Sequence, residues 1–290
     1  MAEALLSKKI SAVIDLIRLK KPYGTALLLS PALWSLFLAS SGTPPLKLLL
    51  IFTLAAFLMR SAGCAINDFA DRGFDRFVER TKGRPLVDGR LDKKEALAVF
   101  AVLSLLAFSL VLFLNAFTIA LSLVAILLAI IYPFVKRVSF FPQVFLGAAF
   151  GWGAIMAWSA VRGTIGVPAV LIFIANVFWS TAYDTIYALM DIEDDLKVGV
   201  KSTAIFFKSR VYEAVCLFYV ATGAALILAG VFAGLGAIYY SGVVVFCLFF
   251  IVMVVRLKKC PVREEAHKVF RSNVWGGAFI LVSIIVDMNI

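Results

Sequence analysis

The sequence predicts an all-α polytopic membrane protein of nine transmembrane helices. Three observations carry that expectation. The 290 residues are 62% hydrophobic and only 16% charged, with a mean hydropathy of +0.99, whereas soluble domains are about half apolar and about a quarter charged. Apolar segments long enough to cross a bilayer recur along the chain. Basic residues crowd into alternate connections between those segments.

Residues 1–22 include "KKISAVIDLIRLKKP", in which Ile10, Val13, Ile14 and Ile17 recur at helical spacing among lysines. This pattern predicts an amphipathic helix lying on the cytoplasmic membrane surface and ended by Pro22, not a cleavable signal. Residues 23–290 then read as a single nine-helix transmembrane domain. Its spans fall at about 24–40, 46–66, 95–114, 117–135, 140–160, 167–183, 212–231, 233–255 and 273–289. Breakers such as "SGTPP" and "RGTIG" mark turns, and Asn115 divides the third span from the fourth. Two polar stretches, about 67–94 and 184–211, are long enough to act as cap loops.

Of 28 Lys and Arg, five precede the first span, eight lie in 67–94, four in 184–211 and six in 256–271, with Lys136 and Arg137 after the fourth span. Only Lys47 and Arg162 fall in the opposite loops, and Arg60 lies inside the second span. The positive-inside rule therefore places the N-terminus in the cytoplasm and the C-terminus on the far side. The same rule accounts for the net charge of +10 and removes the argument for a nucleic-acid partner. Four cysteines without a CxxC pair and a single histidine, His267 in a basic loop, exclude a His-based triad and a multi-histidine metal site. The basic residues of 256–271 are expected only to orient the chain.

Two polar stripes carry the chemistry. Asn67, Asp71 and Asp75 are spaced i, i+4, i+8 at the cytoplasmic end of the second span, with Asp68 beside them; a continued helix puts them on one face. Arg60 lies seven residues deeper on nearly the same face, and an arginine inside a span marks function by default. After the sixth span, Asp184, Tyr187, Asp191 and Asp195 at i, i+3, i+7, i+11 form a second face, with Glu193 and Asp194 pointing elsewhere. Either stripe alone is compatible with a solvated loop. Both on the same membrane side, with Arg60 behind one, point to a site. Carboxylates without His or Cys select Mg²⁺ or Mn²⁺. The neighbouring Arg72, Arg76, Arg80, Lys82, Arg84, Lys136, Arg137, Lys197 and Lys201 suit a metal-bound diphosphate. Tyr132 and Tyr187 stand at interfacial depth, where tyrosines commonly form a belt.

These residues resemble the signatures of the UbiA superfamily of intramembrane prenyltransferases, NDxxDxxxD and DxxYAxxDxxxD. Here they read Asn67-Asp68-Asp71-Asp75 and Asp184-Tyr187-Ala188-Asp191-Asp195. "KPYGTALLLSPALW", "VERTKGRPL", "YPFVKR", "PQVFLGAAFGWG" and "GVKSTAI" are similar to the 4-hydroxybenzoate polyprenyltransferase branch. The last three spans match only in hydrophobic character.

The resemblance implies helices around a central cavity under a cytoplasmic polar cap. Mg²⁺ would be held by Asn67, Asp68, Asp71, Asp75, Asp184, Asp191 and Asp195, with Asp71, Asp75, Asp191 and Asp195 essential to catalysis. A polyprenyl diphosphate would meet Arg72, Arg80, Lys82, Tyr132, Lys136, Arg137 and Lys201. An aromatic acid acceptor such as 4-hydroxybenzoate would meet Arg60 near Tyr187, and the prenyl tail would remain among membrane lipids. Ionisation of the allylic C–O bond would let the ring carbon ortho to the phenol attack, with Asp191 one choice for taking the ring proton. Other acceptors within the superfamily are dihydroxynaphthoate, homogentisate, haem or a glycerol phosphate. Outside it, a cation transporter is the competing class.

Overall fold

The computed structural model describes residues 2–290, with side chains from Ser7 onward; Met1, the first residue of the expected interfacial segment, lies outside them. Twelve α-helices appear in chain order. They are α1 (Ala2–Leu16), α2 (Tyr23–Ala39), α3 (Leu46–Asp75), α4 (Lys93–Val111), α5 (Ala116–Val135) and α6 (Pro142–Arg162). The second half comprises α7 (Val167–Ala188), α8 (Ile192–Val198), α9 (Thr203–Phe207), α10 (Val211–Ala233), α11 (Ala237–Lys259) and α12 (Arg263–Asn289). No strand occurs among the described residues. Eight stretches are long and apolar enough to cross a membrane, and α2, with 17 residues, is a shorter ninth. The protein is therefore an all-helical, multi-pass membrane protein.

Local chemistry explains most boundaries. α4 starts at a capping box in which Asp92 accepts from the Glu95 amide at 2.8 Å and Glu95 accepts from the Asp92 amide at 2.8 Å. α5 starts at Asn115, whose side chain accepts from the Thr118 amide at 2.9 Å. α6 ends at Gly163 with φ +72°, the left-handed position glycine tolerates.

Three boundaries differ from the sequence-based expectation. α1 stops at Leu16, not at Pro22, because Arg18 adopts φ +58° and its guanidinium reaches Asp68 at 2.7 and 2.9 Å. Pro22 instead caps the start of α2. α12 begins at Arg263, so His267 and the surrounding basic residues are helical and not in a loop. Finally, α7 breaks after Ala188 and Asp191 leaves the helical region at φ −120°, ψ +7°. The four residues Asp184, Tyr187, Asp191 and Asp195 therefore do not share one continuous helical face.

α7 is the most buried span and packs against α2, α6, α10 and α12. α6 meets α7 closely at Gly147, where a Cβ would stand 2.8 Å from the Val177 Cα. Trp34 on α2 stacks on Trp179 of α7 with ring centroids 5.1 Å apart. Both indoles are satisfied: Trp34 Nε1 donates to the Gly277 carbonyl at 2.9 Å, and Trp179 Nε1 to Asn273 Oδ1 at 2.7 Å. α4 and α5 lie on the outside, α4 along α3 and α5 along α6, and touch each other little. Their outward Leu105, Leu123 and Leu127 are exposed, as expected of surfaces facing hydrocarbon.

Candidate active site

A cavity of about 1310 Å³ runs from the cap into the bundle between α2, α3, α4, α5, α6 and α7. Its polar end is set by the length of α3. Thirty residues at about 1.5 Å each make a rod of roughly 45 Å, longer than the ~30 Å hydrocarbon core. The last turns, bearing Asn67 to Asp75, therefore project beyond the apolar zone. α7 supplies Asp184 and Tyr187 before its break.

Asn67, Asp68, Asp184, Tyr187, Tyr132, Arg60 and Arg80 line this cavity. Asp71, Asp75, Asp191 and Asp195 do not. Three of these four are engaged by cations. Asp71 Oδ2 accepts from Lys136 Nζ at 2.5 Å, and Asp75 Oδ2 from Arg84 Nη1 at 2.6 Å. Asp191 is held by Arg80 Nε at 2.9 Å and by Arg263 Nη2 at 3.1 Å. Asp68, almost fully buried, lies between Arg18 at 2.7 Å and Arg84 at 3.1 Å. Buried carboxylates in a poorly solvated region require such counter-charges.

Arg80 joins the two motifs. Besides Asp191, it donates from Nη1 to the Tyr187 hydroxyl at 2.6 Å and lies 4.8 Å over the Tyr187 ring. Its turn is held by Thr81, whose Oγ1 donates to the Asp75 carbonyl at 2.7 Å. Burial works against the Arg80 charge, but Tyr187 and Asp191 more than offset it and raise its pKa. On α8, burial pushes the Asp195 carboxyl up to about 6, and the neighbouring Asp191 adds to this. The ion pairs explain the break in α7: turning the Asp191 carboxylate toward Arg80 and Arg263 replaces helical continuity.

Four expected diphosphate partners face elsewhere. Arg72, one residue round the helix from Asp71, donates to the Phe69 carbonyl and stacks 4.6 Å over the Phe69 ring. Arg137 Nη2 donates to the Ala70 carbonyl at 2.5 Å. Lys201 Nζ reaches the Val138 carbonyl at 3.2 Å, and Lys82 is exposed and paired with Glu79. Conversely, Arg18 and Arg263 belong to the site although sequence reasoning passed over both. Nothing in their local composition separates them from orienting cations; only their carboxylate partners do.

The donor set suits a hard divalent cation. Asp71 Oδ1 is buried without a hydrogen-bond partner, and among the described residues the Asn67 and Asp184 side chains make no hydrogen bond. Yet no group of three acidic, His or Cys side chains is gathered as a metal cage among the described residues. The protein's own arginines and lysine hold the acids apart in this arrangement. Deeper in the cavity, Arg60 sits beside Cys64, with Nη1 2.6 Å from Sγ, and has no carboxylate partner among the described residues.

Residues 28–280 match the UbiA prenyltransferase family model. The chain is 47% identical over 280 residues to a 4-hydroxybenzoate octaprenyltransferase of Hydrogenovibrio crunogenus, covering 97% of this chain and 98% of that one. It is 46% identical over 273 residues to the Alcanivorax borkumensis protein of the same name, covering 93% of each. A solved UbiA homolog from Aeropyrum pernix K1 superposes with TM-score 0.76 at 27% identity, over 91% of this chain and 98% of that one. One from Archaeoglobus fulgidus, bound to GPP and Mg²⁺, shares the fold at TM-score 0.70 and 16% identity, over 96% of this chain and 100% of that one. Sequence match and fold agree over nearly the whole length: the chain belongs to the UbiA prenyltransferase family.

Proposed function

We propose that the protein transfers a polyprenyl group from polyprenyl diphosphate to the ring carbon ortho to the hydroxyl of 4-hydroxybenzoate, releasing diphosphate. The observation that carries this reading is the meeting, in one cavity, of Asn67 and Asp68 from the first motif and Asp184 and Tyr187 from the second, with the half-buried Arg60 deeper in it. Relatives of nearly the same length bear the name of that activity. We place the protein in the inner membrane, with its N-terminus in the cytoplasm, residues 1–22 on the surface and residues 23–290 as one domain.

The divalent ion, for which we propose Mg²⁺, supplies positive charge where negative charge develops on the leaving diphosphate. Asn67, Asp68, Asp71 and Asp75 from α3 and Asp184, Asp191 and Asp195 from the second motif would hold it. Arg80, Arg84 and Lys136 then exchange carboxylate partners for phosphate oxygens, an exchange that arginine forks and a lysine point charge both allow. Tyr132, Tyr183, Tyr187 and Phe150 present aromatic faces around the reacting carbon, stabilising an allylic cation without trapping it. Arg60 meets the acceptor's carboxylate. Asp184 faces the cavity, whereas Asp191 is engaged by two guanidinium groups; Asp184 is therefore the better-placed acceptor for the ring proton. The prenyl tail leaves along Leu105 and Leu123, which line the cavity and are also exposed on the lipid side.

The test is incubation of purified protein with Mg²⁺, a labelled prenyl diphosphate and a panel of aromatic acids, with products identified by mass spectrometry. Prenylated 4-hydroxybenzoate supports the reading. Product from another acceptor alone, or ion flux in proteoliposomes with no prenyl transfer, overturns it.

A further inference from the structure

We infer that Gly24, in the first turn of α2, is a positioning residue for acceptor recognition, because the missing side chain seats the Arg60 guanidinium. This rests on the reading that Arg60 receives the acceptor's carboxylate. A Cβ built at Gly24 lands 2.6 Å from Arg60 Nη2, 2.8 Å from Cζ and nearer still to Nε. The guanidinium therefore lies against the bare backbone of α2. Two further contacts fix it: Cys64 Sγ accepts from Nη1 at 2.6 Å, and the Phe150 ring centroid lies 5.9 Å from Cζ. Gly24, Arg60, Cys64 and Phe150 all line the same cavity.

The geometry singles out one edge of the guanidinium. Nη1 is occupied by Cys64, while Nε is buried and has no hydrogen-bond partner. The Nε–Nη2 edge lies against the bare α2 backbone at Gly24, so the guanidinium meets the acceptor's carboxylate through its remaining Nη donors. A methyl group there displaces the guanidinium from this seat. That displacement weakens carboxylate recognition and leaves the diphosphate end of the cavity untouched. The half-buried Arg60 guanidinium has no carboxylate partner among the described residues, and a ligand anion supplies one. Its positive charge suits a benzoate better than a phenol or an amide.

The experiment compares wild type, Gly24→Ala, Arg60→Ala and the double variant, using 4-hydroxybenzoate and 4-hydroxybenzamide as acceptors. In Gly24→Ala the KM for 4-hydroxybenzoate rises about tenfold to a hundredfold, the range expected when a charge-assisted hydrogen-bonded pair is spoiled. The KM for prenyl diphosphate stays within about twofold, and preference for the acid over the amide collapses. In the Arg60→Ala background, Gly24→Ala has no further effect, since there is no guanidinium left to displace. An unchanged KM for 4-hydroxybenzoate in Gly24→Ala, with a raised one in Arg60→Ala, overturns the role of Gly24 alone. An unchanged KM in Arg60→Ala overturns the underlying reading of the acceptor site. Should Gly24→Ala reduce the yield of folded protein, recovery of yield in the double variant supports a conflict with the guanidinium. Continued loss assigns Gly24 to helix packing and refutes the inference.

Discussion

Arg80 and Asp191, separated by 111 residues in sequence, are joined by Nε–Oδ contacts of 2.9 and 3.1 Å and by a contact through Nη2. This pairing ties the turn that follows the first acidic motif to the second motif. Asp191→Ala is expected to abolish prenyl transfer, by at least about a hundredfold, as for loss of a group that stabilises transition-state charge. Size-exclusion elution and membrane insertion should remain as in wild type. Full activity in this variant removes the second motif from the mechanism.

Metal dependence follows from the unsatisfied Asp71 Oδ1 and the cavity-facing Asn67 and Asp184. Excess EDTA should reduce transfer to background, and added Mg²⁺ should restore it. Undiminished activity in EDTA would refute the metal–diphosphate reading.

Arg84 offers a test of charge compensation, since it bridges Asp68 and Asp75. Arg84→Met leaves the buried Asp75 without its counter-charge and Asp68 with Arg18 alone, at a cost of about 3 kcal/mol. Thermal unfolding in detergent should show this as a lowered Tm, and Mg²⁺ should recover more of the loss than it adds to wild type.

Lys82 is exposed and pairs with Glu79 within its own turn. Exposed pairs of this kind contribute little. Lys82→Ala should change the KM for prenyl diphosphate by less than about twofold in steady-state assays, which distinguishes it from Arg80 and Lys136.

Asn273 is structural. Its Oδ1 accepts from Trp179 Nε1 at 2.7 Å and from the Tyr219 hydroxyl at 3.1 Å, at a fully buried position. Asn273→Leu orphans both donors and should destabilise the bundle by about 2–6 kcal/mol, at about 1–3 for each orphaned group. Activity measured well below the lowered Tm should persist.

Much of this could be read from residue order because it depends on local patterns. Hydropathy and length mark each span, and the distribution of Lys and Arg points to orientation. The spacing of Asn67, Asp71 and Asp75 places them on one face of α3, which continues through Asp75. The second motif was less legible. Its i, i+3, i+7, i+11 spacing fits a helix, but the chain turns after Ala188 because Asp191 finds Arg80 and Arg263. Arg18 and Arg263 looked like any cytoplasmic cations until their partners, Asp68 and Asp191, came into contact.

The sequence by itself determined the membrane class, the helix pattern and the residue types of both acidic motifs. These follow from transfer free energies and helical geometry, which act over a few turns. Tertiary structure decided which cation compensates which carboxylate, which basic residues face away, and that Arg60 lies against Gly24. Those relations join residues far apart in the chain. They are settled by burial, where an uncompensated charge is costly, and no local periodicity encodes them.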